Sequence, residues 1–204
     1  MDSWRRFIQR FREISGRLVC TGGHVYLILL LTYEKGLTGR YYLKDKLGMG
    51  EATIRNILDR LKKLGVIEAL RGGHRLTNSG KEIVEDIQNR LVIMDLDTEI
   101  KPGRYTSVFI IRGVGDRIKT GVEERDNVIK YGGTGAVVLI YRDGRIIFPD
   151  SGLDAEKWYP GFKKKLLEKM ELQDGDVILI TGGENRFEAL LSGVNTSLDL
   201  LLKK

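Results

Sequence analysis

The chain has 204 residues, a formal net charge of +6, 42% hydrophobic and 30% charged residues, and one cysteine. That balance belongs to a globular protein with a core of its own. It excludes a disulfide-built fold, because Cys20 has no partner in the chain. It also excludes a spanning helix: the longest apolar run, Val25 to Leu31, is far short of the roughly 20 residues a bilayer needs.

The N-terminus is basic but is not followed by a hydrophobic segment, so no signal peptide is expected and the compartment is expected to be the cytoplasm. Residues 3–15 place Trp4, Phe7, Ile8, Phe11 and Ile14 on one stripe of a helix, with Arg5, Arg6, Arg10 and Arg12 around it. Two uses of that stripe are open: packing on the domain that follows, or pairing with the same helix of a second subunit. A membrane-surface helix has nothing else in the chain to support it. Residues 24–34 are apolar nearly all round and are expected to form a buried helix ended by Gly36. Cys20, His24 and His74 lack the ligand spacing of a zinc site, so no metal is expected.

The most informative stretch is 37–91. Tyr41 to Leu47 reads as a short helix ending at Gly48. Ile54, Ile57, Leu58, Leu61 and Leu64 then recur at i, i+3, i+4, i+7 and i+10, which is one face of a longer helix. Gly50 suits its N-cap, Glu51 its first turn and Gly65 its C′ position. Two helices joined by a short glycine-containing turn have helix-turn-helix spacing. Residues 66–70 and 74–77 read as strands around Gly72-Gly73, and Asn78 or Ser79 opens a further helix with Ile83, Val84 and Ile87 inside. This is the winged-helix order. The run ATIRNILDRLKKLGVIEALRGGHRLTNSGKEI resembles the winged-helix DNA-binding domain of bacterial and archaeal transcription regulators, over about the first 90 residues.

Such a resemblance implies that the longer helix enters the major groove of double-stranded DNA, N-terminal half first. Glu51, Ala52, Arg55 and Asn56 then reach base edges, where Arg55 can read guanine and Asn56 adenine. Arg60 and Lys63 fall later and would meet phosphate, and Arg71 and Arg75 on the hairpin would meet phosphate or the minor groove. Winged helices also dock proteins, which stays open as the alternative. Charge sides with DNA: residues 1–91 hold 17 Lys/Arg and 10 Asp/Glu, so 17 − 10 = +7, against 17 − 18 = −1 for the rest.

Residues 92–104 are polar, contain Pro102-Gly103 and read as a linker, with Val92-Ile93-Met94 as a strand candidate at its start. Residues 105–204 read as an α/β domain: strand 105–112, helix 117–131 weakened at Gly121, strand 136–141, an Asp143-Gly144 hairpin, strand 146–149, a helix from Asp154 to about Glu171 open to interruption at Pro160-Gly161, strand 177–181 and a last helix. The order βαββαβ suggests a ferredoxin-like sheet, and the fold class expected for the whole chain is α+β. The whole chain also has some likeness to archaeal proteins that join a winged helix to a small α/β domain.

This half has no histidine and no cysteine, which leaves no Ser-His-Asp triad or thiol nucleophile, so no catalytic residue is assigned and an enzyme is the minor alternative. Its glycine-rich strand-to-helix junctions, Gly113, Gly115 and Asp116 and then Gly182 and Gly183, are candidates for binding the anionic part of a small effector. Neither is a full dinucleotide fingerprint or a P-loop. The expectation is a cytoplasmic DNA-binding transcription regulator, a homodimer with double-stranded DNA as partner and no cofactor, whose domain 105–204 senses a small effector or helps to dimerise. Three glutamines and one cysteine among many charges hint at a thermophile.

Overall fold

In the computed structural model, residues 3–15 and 20–203 are described, with the side chains of Ser3 and of residues 12–15 left aside. The fold is mixed α+β, with eight α-helices and two antiparallel sheets among these residues. It divides into two compact units, Met1–Gln88 and Asn89–Lys204.

In the first unit, α1 (Ser3–Ser15), α2 (Gly22–Lys35), α3 (Arg40–Leu47) and α4 (Glu51–Lys63) precede a hairpin of β1 (Ile67–Leu70) and β2 (Gly73–Leu76), and α5 (Asn78–Gln88) closes it. The apolar helix faces meet in one core: Val25, Ile28 and Leu29 of α2, Leu43 and Leu47 of α3, Ile54, Ile57 and Leu61 of α4, and Ile83, Val84 and Ile87 of α5 are all buried. Helix α1 packs on α4 and α5. Its Trp4, Phe7, Ile8 and Phe11 are buried within the chain, so the described part of the stripe is already used, and the Arg12 and Ile14 side chains lie outside the described residues.

The hairpin is held by more than its own register. Thr38 N–H donates to the His74 carbonyl at 2.9 Å, and His74 N–H donates to the Thr38 carbonyl at 2.8 Å. The Thr38 hydroxyl is 2.8 Å from that of Thr32, which donates to the Ile28 carbonyl at 2.8 Å. The loop before α3 is thus locked to α2 on one side and to the hairpin on the other. Gly73 permits this, because a Cβ there would meet the Thr38 carbonyl oxygen at 2.6 Å.

In the second unit, β3 (Leu91–Met94), β4 (Tyr105–Ile111), α6 (Val122–Lys130), β5 (Gly135–Arg142), β6 (Arg145–Ile147), α7 (Phe162–Leu167), β7 (Val177–Gly183) and α8 (Arg186–Leu202) follow in order. The sheet runs β3-β4-β7-β5-β6 and is antiparallel throughout. Strands β4 and β5 are therefore parallel to each other, with β7 between them and α6 as their connection. That is a split βαβ, but the inserted strand is the last of the set, whereas the ferredoxin-like order inserts the third. Strand order corrects the sequence expectation here. Alternation places Val108, Ile110, Leu139, Ile178 and Ile180 on one face, under Phe162, Leu166 and Leu172. The other face meets α6 and α8.

Three local expectations also change. The strand candidate Val92-Ile93-Met94 at the head of the expected linker does form, begins at Leu91 and pairs with β4 from Leu91↔Ile111 to Met94↔Val108, which shortens the linker. The helix expected over 117–131 is cut to α6, because Gly121 takes a left-handed φ of 79° at the N-cap. The helix expected from Asp154 to about Glu171 is a 3-10 turn over Ala155–Lys157 and then α7, broken at Pro160-Gly161, where Gly161 has φ 80°. The Asp143-Gly144 turn forms as expected, with φ of 50° and 70°.

Candidate functional site

Helix α4 sets the geometry. Gly50 is its N-cap with φ −62° and ψ 144°, and Glu51 lies in the first turn. Leu64 is the C-cap and Gly65 follows with φ 73°, the left-handed C′ glycine that closes a helix without a Cβ clash. Ile54, Ile57, Leu58 and Leu61 are buried. Glu51, Ala52, Arg55, Asn56, Asp59, Lys62 and Lys63 are exposed. At about 100° per residue these seven fall within an arc of about 140°, opposite the buried face. Five of the residues assigned to DNA, Glu51, Ala52, Arg55, Asn56 and Lys63, therefore share one exposed face.

The other three differ. Arg60 is partly buried and already engaged by a neighbour, so it is not freely offered to a phosphate. Arg71 is exposed in the hairpin turn beside Gly72, whose φ is 99°. Arg75 is exposed but paired across the hairpin: its Nε donates to Glu68 Oε1 at 2.7 Å, and the two residues are register partners. Much of its charge is cancelled locally. Arg55, Lys62, Lys63 and Arg71 make no ion pair among the described residues.

Between the hairpin, α4 and the start of α3 runs an open groove of about 450 Å³. Arg55 and Asp59 reach it from α4, Arg40 and Tyr41 from α3, and His74 from β2. Helix α3 starts at Gly39 with no side-chain cap, so its first N–H groups lack a side-chain acceptor. Burial pushes the His74 imidazole below its ordinary value; Arg40 and Lys62 add to this, while the Thr38 backbone and Asp59 oppose it. Sequence reasoning passed over Arg40 and Tyr41, which stand beyond the helical face that periodicity picks out. The side-chain-free Gly39 before Arg40 was the available signal.

The glycine junctions of the second unit serve close packing and tight turns. Strands β4 and β7 are antiparallel neighbours, pairing Ile111 with Val177 and Tyr105 with Gly183. Gly113 and Gly182 thus leave the sheet at opposite ends, about 20 Å apart at 3.3 Å per residue, and cannot share a small ligand. Gly182 and Gly183 are packing positions: a Cβ at Gly182 would meet Gly103 N at 2.5 Å, and one at Gly183 would meet Ala189 N at 2.5 Å. The α8 N-terminus is capped by its own side chains, since Asn185 Oδ1 accepts from Glu188 N–H at 2.9 Å and Glu188 Oε2 accepts from Glu184 N–H at 3.1 Å. A carboxylate already stands where an anion would. Gly113 takes φ 62° in a turn, and Gly115 N–H donates to the Gly175 carbonyl at 2.7 Å. Asp116 accepts from Arg142 at 2.6 Å. Among the described residues no three His, Cys, Asp or Glu side chains come together to hold a metal ion, and no helix is long and apolar enough to cross a membrane.

A family described as "Domain of unknown function (DUF4443)" matches residues 102–200, within the second unit. Among solved structures, the hypothetical protein PH0730 from Pyrococcus horikoshii OT3 is similar, with a TM-score of 0.69 and 26% sequence identity over 89% of this chain and 92% of that one. No curated protein matches.

Proposed function

We propose that the first unit is a winged helix that binds double-stranded DNA, and that the chain is a cytoplasmic transcription regulator. One observation carries the reading: α4 presents Arg55 and Asn56 on an exposed face, with Lys62, Lys63 and the hairpin cation Arg71 also exposed. A helix so placed fits the major groove, where its N-terminal residues meet base edges and the flanking cations meet phosphate. The localised basic charge of residues 1–91 supports it. A homodimer, if it reads two half-sites, must use a surface other than the described α1 stripe, which is buried in its own chain.

The test is binding of the full chain to genomic DNA fragments, followed by selection of the favoured site. Arg55→Ala should weaken that site by about 1–3 kcal/mol and relax the base preference at one position. Unchanged affinity and preference would remove Arg55 from base reading. A second reading has its own support: Leu37, Tyr41 and Leu70 are exposed apolar side chains, 40%, 73% and 42% accessible, and the latter two line the groove beside α4. A docked partner protein would cover them. Stoichiometric co-purification of a protein, with no DNA retained, would favour that reading.

A further inference from the structure

The midline of the face that α4 presents belongs to a carboxylate. At about 100° per residue the exposed arc runs from Glu51 to Asn56, and Asp59 lies within about 10° of its centre. Lys62 and Lys63 flank that centre at about 50° on either side, one turn further along. Asp59 is exposed and makes no ion pair among the described residues, although Arg40 and Arg55 line the groove with it. On a surface that meets a polyanion, an unpaired carboxylate is repelled by phosphate, and every complex that offers it no donor is weakened.

We infer that Asp59 is the residue through which α4 selects a cytosine, by accepting a hydrogen bond from the base's N4 amino group in the major groove. The inference rests on the nucleic-acid reading above. With Lys62 and Lys63 meeting the two phosphate ridges, the midline between them faces the groove floor, where the base edges lie. An ionised carboxylate only accepts. On that floor guanine offers acceptors alone, thymine an acceptor and a methyl group, and adenine a donor beside an acceptor. Cytosine offers a donor alone, so it satisfies the carboxylate without setting another acceptor against it. The discrimination works by exclusion, because any other base leaves the charge in the phosphate field with a poorer partner or none. Arg55 lies one turn before Asp59, about 6 Å along the helix axis. The cytosine therefore falls within about two base steps, of about 3.4 Å each, of the guanine that Arg55 reads.

The full chain is first used to select its favoured site from a random duplex library. The C·G pair nearest that guanine is then changed to each alternative pair. Affinities of the wild type, Asp59→Ala and Asp59→Asn are measured for these duplexes and for random-sequence duplex. Asp59 is exposed, so the variants' urea midpoints are expected to match the wild type, which separates base reading from folding. The expected result is a wild-type preference for cytosine of about tenfold that Asp59→Ala lacks. Both variants, having lost the charge, are expected to bind random-sequence duplex several-fold more tightly. A favoured site with no cytosine within about two base pairs of the guanine, or a preference kept in Asp59→Ala, overturns the assignment and leaves the nucleic-acid reading standing. Weaker binding of every duplex by the variants makes Asp59 a structural group and overturns the assignment as well. If the wild type binds no duplex, the nucleic-acid reading falls and the assignment falls with it.

Discussion

Removing the carboxylate of Asp176 should unpick the turn that leads into β7. It is 1% exposed, accepts from Gly113 N–H at 3.1 Å and Gln173 N–H at 2.9 Å, and pairs with Arg112. Asp176→Ala strands two backbone donors and a guanidinium, at a cost of about 3 kcal/mol, read as a lower urea midpoint. The histidines set a pH dependence. Burial holds both His24 and His74 below the ordinary value of 6.5, so the fold favours their neutral forms. Their contribution is complete above pH 6.5 and is lost as pH falls through the lowered values. At His24 a hydrogen bond works in the same direction as burial: Nδ1 accepts from Thr21 N–H at 3.1 Å, which a proton on that nitrogen prevents. Urea midpoints should fall between pH 7.5 and 5, and equal midpoints would contradict this.

At the level of elements, α8 offers a test in which helix propensity and packing disagree. Gly193→Ala would stabilise an exposed helix by about 1 kcal/mol. Here a Cβ would meet the Phe109 ring at 2.0 Å, and Phe109 is wholly buried, so the variant should lose about 1–3 kcal/mol in urea unfolding. Helix α1 gives another: Trp4→Ala should cost about 3–5 kcal/mol without changing oligomeric state, because Trp4 is 0% exposed within its own chain. The elements best read from sequence were those where periodicity and end signals agreed, as in α4, with Ile54 to Leu61 inside and Gly50 and Gly65 at its ends. Those misread lacked such agreement. Between Asp154 and Glu171 the interruption flagged at Pro160-Gly161 is where the helix breaks, but helix formers outnumber breakers on either side and hide how short the two pieces are. β3 is four residues beside a polar stretch, too short for alternation to register, and only the apolar run Val92-Ile93-Met94 marked it as a strand candidate. The bridge between Thr38 and His74 is a single pair, without a periodic signature, so the groove it helps to shape was legible only through the glycines around it.

For the whole molecule, what could be read was the division of charge and the order of elements. Strand order could not. In the second unit βαββαβ is compatible with more than one sheet, and the choice of β7 over β6 for the central gap depends on long-range packing that local patterns do not encode. Glycines at Gly182 and Gly183 read as an anion loop because sequence shows a missing side chain and not what presses into the space. The excess charge remains the broadest clue to function, since a polyanion that displaces ions from such a surface must bind less tightly as salt rises. Binding of the full chain to double-stranded DNA, measured over a range of sodium chloride, is therefore the most direct test. With Lys62, Lys63 and Arg71 exposed and unpaired among the described residues and free to meet phosphate while Arg55 reads a base, log K should fall linearly with log salt at a slope of roughly −3, about −0.9 for each phosphate met. No binding at low salt, or an affinity indifferent to salt, would contradict a nucleic-acid role for α4.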